Sequence, residues 1–188
     1  PLAWSSAASD VYKRQGIDYD ETFNQSSRFE RYKEQFEKLK SDGRIYACYE
    51  TPEELERKRK LQMAAGGKQV YDRSALKLTE QQIKDYENDG RKPHWRFLLQ
   101  TERMKWNDLL KGEIDIDLTS LSDPVLFRED GVPLYTFSSA VDDVDYNITN
   151  VIRGDDHTSN TAVQIEIINA LDENKISFAH HALLKAST

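Results

Sequence analysis

The chain has 188 residues, 38% hydrophobic and 31% charged, with a formal net charge of −7. That length holds one domain with a sizeable core or two small ones, no apolar run approaches the ~18 residues of a membrane span, and one cysteine, Cys48, excludes an internal disulfide framework. The acidic balance argues against a general nucleic-acid coat protein, but it is uneven: residues 52–112 carry 14 Lys and Arg against 10 Asp and Glu, and residues 113–156 carry 2 against 11, which suggests a basic module able to meet phosphate beside an acidic one.

Residues 1–15, PLAWSSAASDVYKRQ, show no periodicity and read as a tail outside the fold. From Ser26 the pattern turns helical, with Phe29, Tyr32, Phe36 and Leu39 on one face. Ser41-Asp42-Gly43 stops that helix, and Ile45 to Tyr49 follows as a short strand holding Cys48 as an apolar residue. The four histidines, His94, His157, His180 and His181, have no zinc-ligand spacing with Cys48.

Thr51-Pro52-Glu53-Glu54 is a helix start: threonine caps, proline suits the first helical position, and glutamate reaches back to the cap. That helix should run to about Ala65 and end at Gly66-Gly67. A second capping box, Thr79 to Gln82, opens a helix that ends at Asp89-Gly90, with Leu78 and Ile83 placed as its hydrophobic staple. His94 to Gln100 reads as a strand and Lys105 to Leu110 as a strand or turn around a buried tryptophan.

Val125 to Arg128 is a strand, Asp130-Gly131 a turn, and Tyr135 to Val141 a candidate helix. Ile148 to Ile152 reads as a buried strand by its β-branching, and it delivers Arg153 and Gly154 at its carboxyl end. A helix then starts near Thr158 to Asn160, with Val163, Ile167, Ile168 and Leu171 facing inward. Strand, polar loop and helix make the half-unit of a doubly wound α/β sheet, whose ligands bind at strand carboxyl ends, so the loop from Arg153 to Asn160 is the place to look for a site.

Arg153 offers a planar fork for a carboxylate or phosphate, although an ion pair with a nearby aspartate would also explain it. Tyr135 could hydrogen-bond a polar ligand, or be a core residue with a wet tip. Asp142, Asp143, Asp145, Asp155 and Asp156 invite a Mg²⁺ reading, but they lack a calcium-loop pattern and read better as turn-capping residues. His157 stands where a nucleotide could be met. No Walker loop, GxGxxG, GxSxG or HExxH is present.

The stretch DGVPLYTFSSAVDDVDYNITNVIRGDDHTSNTAVQIEI, with its VDD and VIRG, closely resembles the second half of the catalytic domain of bacterial glutamyl-tRNA synthetases. GIDYDE and NQSSRFERYKEQFEKLKSDGRIYACYETPEELE resemble the same family's approach to its acceptor-stem insertion, so the likeness spans Gly16 to Leu184. It implies a class I Rossmann-like, doubly wound parallel sheet, here incomplete, with an α+β insertion. Residues 16–45 would end the first half, 46–123 would be the insertion that binds the tRNA acceptor stem, and 124–188 would be the second half. It implies ATP with Mg²⁺, L-glutamate and tRNA(Glu) as partners, in a cytoplasmic, monomeric parent enzyme with no membrane association. Tyr135 and Arg153 would bind glutamate, as would Ser139, where many members carry asparagine. His157, Leu183 and Leu184 would lie on the ATP side. Some members bind zinc in the insertion; with Glu50 two residues after Cys48, and no Cys or His near Tyr71, none is expected here. The HIGH motif would fall upstream of Gly16 and the KMSKS loop after Leu184, so the likeness implies a piece that is inactive by itself. A glutamyl-queuosine tRNA(Asp) synthetase, a glutaminyl-tRNA synthetase, or an acceptor-stem binding module without chemistry are the alternatives.

Overall fold

A computed structural model describes residues 23–172 and 175–182. Residues 1–15, expected to be a tail, and the expected ATP-side residues Leu183 and Leu184 lie outside the described residues.

Helix α1 (Phe29–Ser41) follows a single 3₁₀ turn at Gln25–Arg28 and buries Tyr32, Phe36 and Leu39, as its spacing requires. It ends where Gly43 takes a left-handed φ of 69° and the Arg44 N–H reaches the Leu39 carbonyl at 2.8 Å. Helices α2 (Pro52–Ala64) and α3 (Glu80–Asn88) each begin with the expected reciprocal capping box, on Thr51 with Glu54 and on Thr79 with Gln82.

Three sheets are described. Strands β1 (Ile45–Cys48), β2 (His94–Phe97) and β5 (Val125–Phe127) form an antiparallel sheet in the order β1-β2-β5. Strands β3 (Arg103–Asp108) and β4 (Gly112–Asp117) form a hairpin. Strands β6 (Asn150–Gly154) and β7 (Ser177–His181) pair in parallel, Arg153 opposite His180. Helix α4 (Tyr135–Asp145) precedes β6, and helix α5 (Thr158–Asp172) makes the crossover from β6 to β7. Among the described residues, this β6–α5–β7 unit is the parallel part of the α/β architecture.

Several expectations change. The segment GEIDID, for which the sequence raised no expectation, forms β4 and makes a hairpin with the strand or turn expected at Lys105–Leu110, and Trp106 is half-buried rather than buried. Strand β6 begins two residues later than its β-branched residues suggested, and it is not buried on both faces: Val151 packs on the core while Ile152 is 71% exposed. Strand β5 pairs with β2 rather than with the parallel unit.

The core joins α1, α4 and α5 to β2, β5 and β7. Phe127 lies 4.6 Å from Phe36 and 5.3 Å from Phe137, ring centroid to centroid, and Ile167, Ile168 and Phe178 close the layer. Asp142 is the polar pin between α4 and the start of the fold. It accepts hydrogen bonds from Gln25 Nε2 (2.9 Å), Arg28 Nε (2.8 Å) and the Tyr32 hydroxyl (3.0 Å). Removing it leaves Arg28 Nε and two neutral donors, one of them the buried Tyr32 hydroxyl, without their acceptor, while Asp145 still meets the other side of the Arg28 guanidinium. Asp142→Ala should therefore destabilise the chain by about 2 kcal/mol; urea denaturation showing a loss below about 0.5 kcal/mol, the range of an ordinary surface change, would remove Asp142 from that role.

Candidate functional site

The site candidates gather where α4, the carboxyl end of β6 and the start of α5 meet. Helix α4 begins directly after a tight turn in which Gly131 takes a φ of 78° and Val132 N–H bonds Asp130 Oδ1 at 3.1 Å. The Leu134 N–H returns to the Leu126 carbonyl at 2.8 Å, which fixes the point where Tyr135 starts the helix. Tyr135, Ser139 and Asp143 then fall at i, i+4 and i+8, on one face. Tyr135 is 60% exposed and lies near Arg153, so it is not a core residue.

Ser139 is less available. Its hydroxyl donates to the Tyr135 carbonyl at 2.8 Å and accepts from Gln164 Nε2 at 2.8 Å, joining α4 to α5. A ligand contact at Ser139 would compete with both bonds.

Arg153 is half-buried and forms no ion pair among the described residues, so a structural salt bridge does not account for it. One arm, Nη2, donates to Thr161 Oγ1 at 2.5 Å, the guanidinium carbon lies 5.5 Å from the Phe178 ring centroid, and Nε is buried without a partner. Burial lowers the guanidinium's pKa, opposed by the nearby Tyr135 and Asp143. The result is a cation held in place and under-compensated, which is the condition for binding an anion.

The aspartates divide the work differently from the expected turn capping. Asp142 and Asp145 are committed to Arg28 and Arg31; Arg31 Nη2 lies 2.7 Å from Asp145 Oδ1. Asp155 pairs with Lys111 of the β3–β4 turn at 3.1 Å. Asp143 has no hydrogen-bond partner for its carboxyl among the described residues, and its pKa is pushed up to about 6, by burial first and by Asp142 second, against the pull of Arg153. Among the described residues no cluster of three or more acidic, Cys or His side chains is arranged to hold a metal.

His157 ends the 3₁₀ turn Asp155–His157 and is partly exposed, with Nδ1 3.2 Å from Asn160 Nδ2 and Nε2 3.9 Å from Asp156. It stands one turn of chain beyond Arg153, on the same loop. The sequence did not single out Thr161 or the buried pair His180 and Asp108, and it marked Asp143 only as one of a cluster of aspartates; the adjacency of His180-His181 to an apolar strand was the one hint of the pair.

Comparison with known proteins places the chain. Residues 5–188 match the sequence profile of the tRNA synthetases class I (E and Q), catalytic domain. The chain is 53% identical over 169 residues to glutamate–tRNA ligase 1 of Maricaulis maris and 57% identical over 169 residues to the same-named protein of the Wolbachia of Brugia malayi, covering 90% and 89% of this chain. It spans 38% of the length of each. A solved glutamate–tRNA ligase from Elizabethkingia meningosepticum, in complex with its amino acid, superposes with a TM-score of 0.78 at 26% identity, over 90% of this chain and 36% of that one.

A carboxyl with a higher pKa in the folded than in the unfolded chain disfavours folding once it ionises. For Asp143 that cost is absent below the ordinary value of 3.8 and full above about 6. Asp143→Asn should therefore raise the Tm relative to the parent at pH 7.5, with the gap closing as the pH approaches about 4. Thermal melts with a gap independent of pH would contradict the assignment.

Proposed function

This chain belongs to the class I tRNA synthetases for glutamate and glutamine, as part of their catalytic domain, and we propose that it forms the glutamate-holding half of a glutamate–tRNA ligase. The observation that carries the reading is Arg153: a strand-end guanidinium, anchored by one arm to Thr161, with Nε buried and unpartnered beside the exposed Tyr135. A side-chain carboxylate of glutamate supplies the missing charge and acceptors. The neutral amide of glutamine would leave the cation poorly met, which disfavours it.

In the intact enzyme glutamate would attack the α-phosphate of ATP through its α-carboxylate, releasing pyrophosphate and forming glutamyl-adenylate, and a hydroxyl of the terminal adenosine of tRNA(Glu) would then take the glutamyl group and release AMP. The part of this chain is to hold the distal carboxylate so that the α-carboxylate is presented in one orientation. Tyr135 adds a hydroxyl from the first turn of α4. Ser139 supports the wall of the pocket through Gln164 and the Tyr135 carbonyl, and serves the ligand only if those bonds rearrange. His157 lies on the side facing the nucleotide, with Leu183 and Leu184 further along the chain. Mg²⁺ would arrive on the ATP phosphates: Asp142, Asp145 and Asp155 are spent on Arg28, Arg31 and Lys111, and among the described residues no three acidic, Cys or His side chains are arranged to hold a metal. The insertion, 46–123, would meet the acceptor stem of the tRNA; the exposed Arg57, Arg59 and Lys60 of α2 are suited to its backbone phosphates. No zinc is needed to hold that insertion: Glu50, Lys58, Tyr71 and Ser74 bond one another where it folds back on β1. We place the parent enzyme in the cytoplasm as a monomer; among the described residues no helix is long and apolar enough to cross a membrane.

With the protein expressed from its complete gene, Arg153→Ala should raise the KM for glutamate in ATP–pyrophosphate exchange by about 100-fold or more, the cost of losing a charged, partly desolvated partner. An unchanged glutamate dependence would remove Arg153 from the pocket. Charge reversal at Arg57, Arg59 and Lys60 together should weaken tRNA binding and flatten its salt dependence by up to about three units of log–log slope. Titrations by fluorescence anisotropy at several salt concentrations measure both, and an unaltered slope would exclude α2 from the interface.

A further inference from the structure

Two of the most deeply buried polar side chains in the molecule are not used by the reading above. Asp108 and His180 are each 1% exposed, and they meet at the back of the parallel pair. Asp108 ends β3, in the hairpin that belongs to the insertion, whereas His180 lies on β7, opposite Arg153 in the strand register. His180 Nδ1 stands 2.5 Å from Asp108 Oδ2, and the His180 N–H donates to Asp108 Oδ1 at 3.1 Å. The other ring nitrogen, Nε2, is 2.7 Å from Thr161 Oγ1, a side chain with no exposed surface, and Thr161 Oγ1 is the atom that accepts from Arg153 Nη2.

Donor and acceptor roles along this line follow from its two ends. Burial alone would push the Asp108 carboxyl up, but the bonds from His180 and from the Leu110 and Lys111 N–H groups outweigh it and hold the group well below the usual carboxylate range. Asp108 is thus an acceptor, and the proton of His180 belongs on Nδ1. At the other end, a guanidinium only donates. Thr161 must then accept from Arg153 and turn its own hydrogen either to His180 Nε2 or to the His157 carbonyl, 3.1 Å away. The bare Nε2 is the closer acceptor, and a second cationic donor at the same oxygen would repel the guanidinium.

We propose that Thr161, His180 and Asp108 are positioning residues for the glutamate site: a one-way hydrogen-bond line, Arg153 to Thr161 to His180 to Asp108, sets the place of the guanidinium from the β3–β4 hairpin. This inference rests on the reading of Arg153 as the partner of the glutamate side chain. The hairpin is keyed to the site at two further points, Leu109 N–H to the Phe178 carbonyl at 2.8 Å and Lys111 to Asp155 at 3.1 Å, so its turn, residues 109–111, holds the strand end and the loop that follows it together. Asp108 serves both purposes at once, because its Oδ1 accepts from the turn while its Oδ2 orients the imidazole.

The test uses the protein expressed from its complete gene. Thr161→Val keeps the shape and removes the hydroxyl; it should raise the KM for glutamate in ATP–pyrophosphate exchange about tenfold, the worth of a hydrogen bond to a charged group. The KM for ATP should stay within about twofold, and Thr161→Ser should restore the glutamate KM, because its hydroxyl can close the same line. A Thr161→Val protein with unchanged glutamate KM, or with glutamate and ATP affected alike, overturns the inference, as does a serine variant no better than valine. Nitrogen-15 NMR of His180 in the unsubstituted protein gives a reading that no folding defect can obscure: a proton on Nδ1 and none on Nε2 is expected, and a proton on Nε2 overturns it. Arg153→Ala separates the two levels. If that variant leaves the glutamate KM unchanged, the pocket reading fails; if it raises the KM and Thr161→Val does not, the positioning line alone fails.

Discussion

A carboxylate taken out of water must be met by several donors, and four such groups decide how the segments of this chain can come together. Asp142 gathers Gln25, Arg28 and Tyr32 onto α4. Asp123 gathers two arms of Arg73, the Tyr46 hydroxyl and the Leu99 N–H. Glu166 on α5 accepts from Arg44 and from the Gln100 and Thr101 N–H groups. Asp108 accepts from His180 and the hairpin turn. The hydrophobic core between α1, α4, α5 and the strands supplies most of the driving force, but apolar contact is non-directional and tolerates sliding. A buried carboxylate does not, since a shift of one residue leaves a charge unmatched. The four pins therefore set the register of α1 on α4, of the segment around Arg73 on β1, of α5 on the residues that flank β1 and β2, and of the hairpin on β7.

These pins were the part of the fold hardest to see in the sequence. Capping boxes at Thr51 and Thr79 were legible because all their partners lie within four residues. The buried face of α5 was legible because Val163, Ile167, Ile168 and Leu171 repeat at the helical period. By contrast, Arg28 and Asp142 are 114 residues apart, and His180 and Asp108 are 72 apart. Each is an ordinary charged or polar residue in its local setting, and only the tertiary path makes it a pair. Strand β4 was missed for a related reason: GEIDID alternates acid and aliphatic residues, and the central acid, Asp115, is met across the hairpin by Arg103 and Lys105. The exposure of Ile152 shows the same limit from the other side, because β-branching marks a strand without saying which of its faces is covered.

The site candidates fall between these cases. Arg153 stood out in the sequence as a charge at the end of an apolar run, and that much is local. What would suit it to an anion is not local: one arm is fixed by Thr161 from the next helix, an aromatic ring from β7 backs it, and Nε is left with no acceptor. Tyr135 reaches the same region because the Gly131 turn and the Leu134–Leu126 bond set where α4 begins. The resemblance to a family named Tyr135, Ser139, Arg153 and His157 together, yet the bonds of Ser139 within the protein show that a residue can occupy a family position and still be engaged elsewhere.

Holding a guanidinium half out of water has a cost, visible in its lowered pKa, and a chain that bears this cost at a strand end needs a reason. A carboxylate ligand supplies one: it restores the charge balance that burial removed, in a place where water competes weakly. The half-buried Asp143, drawn to the same cation, keeps that balance adjustable, because its carboxyl changes charge near pH 6 rather than near 4. Were Asp143 and Arg153 closely paired, the ion pair would be self-sufficient and the cation would have nothing to offer a ligand. The carboxyl instead acts at a distance with no direct bond among the described residues, so the guanidinium stays oriented by Thr161 and open to an anion that can reach it.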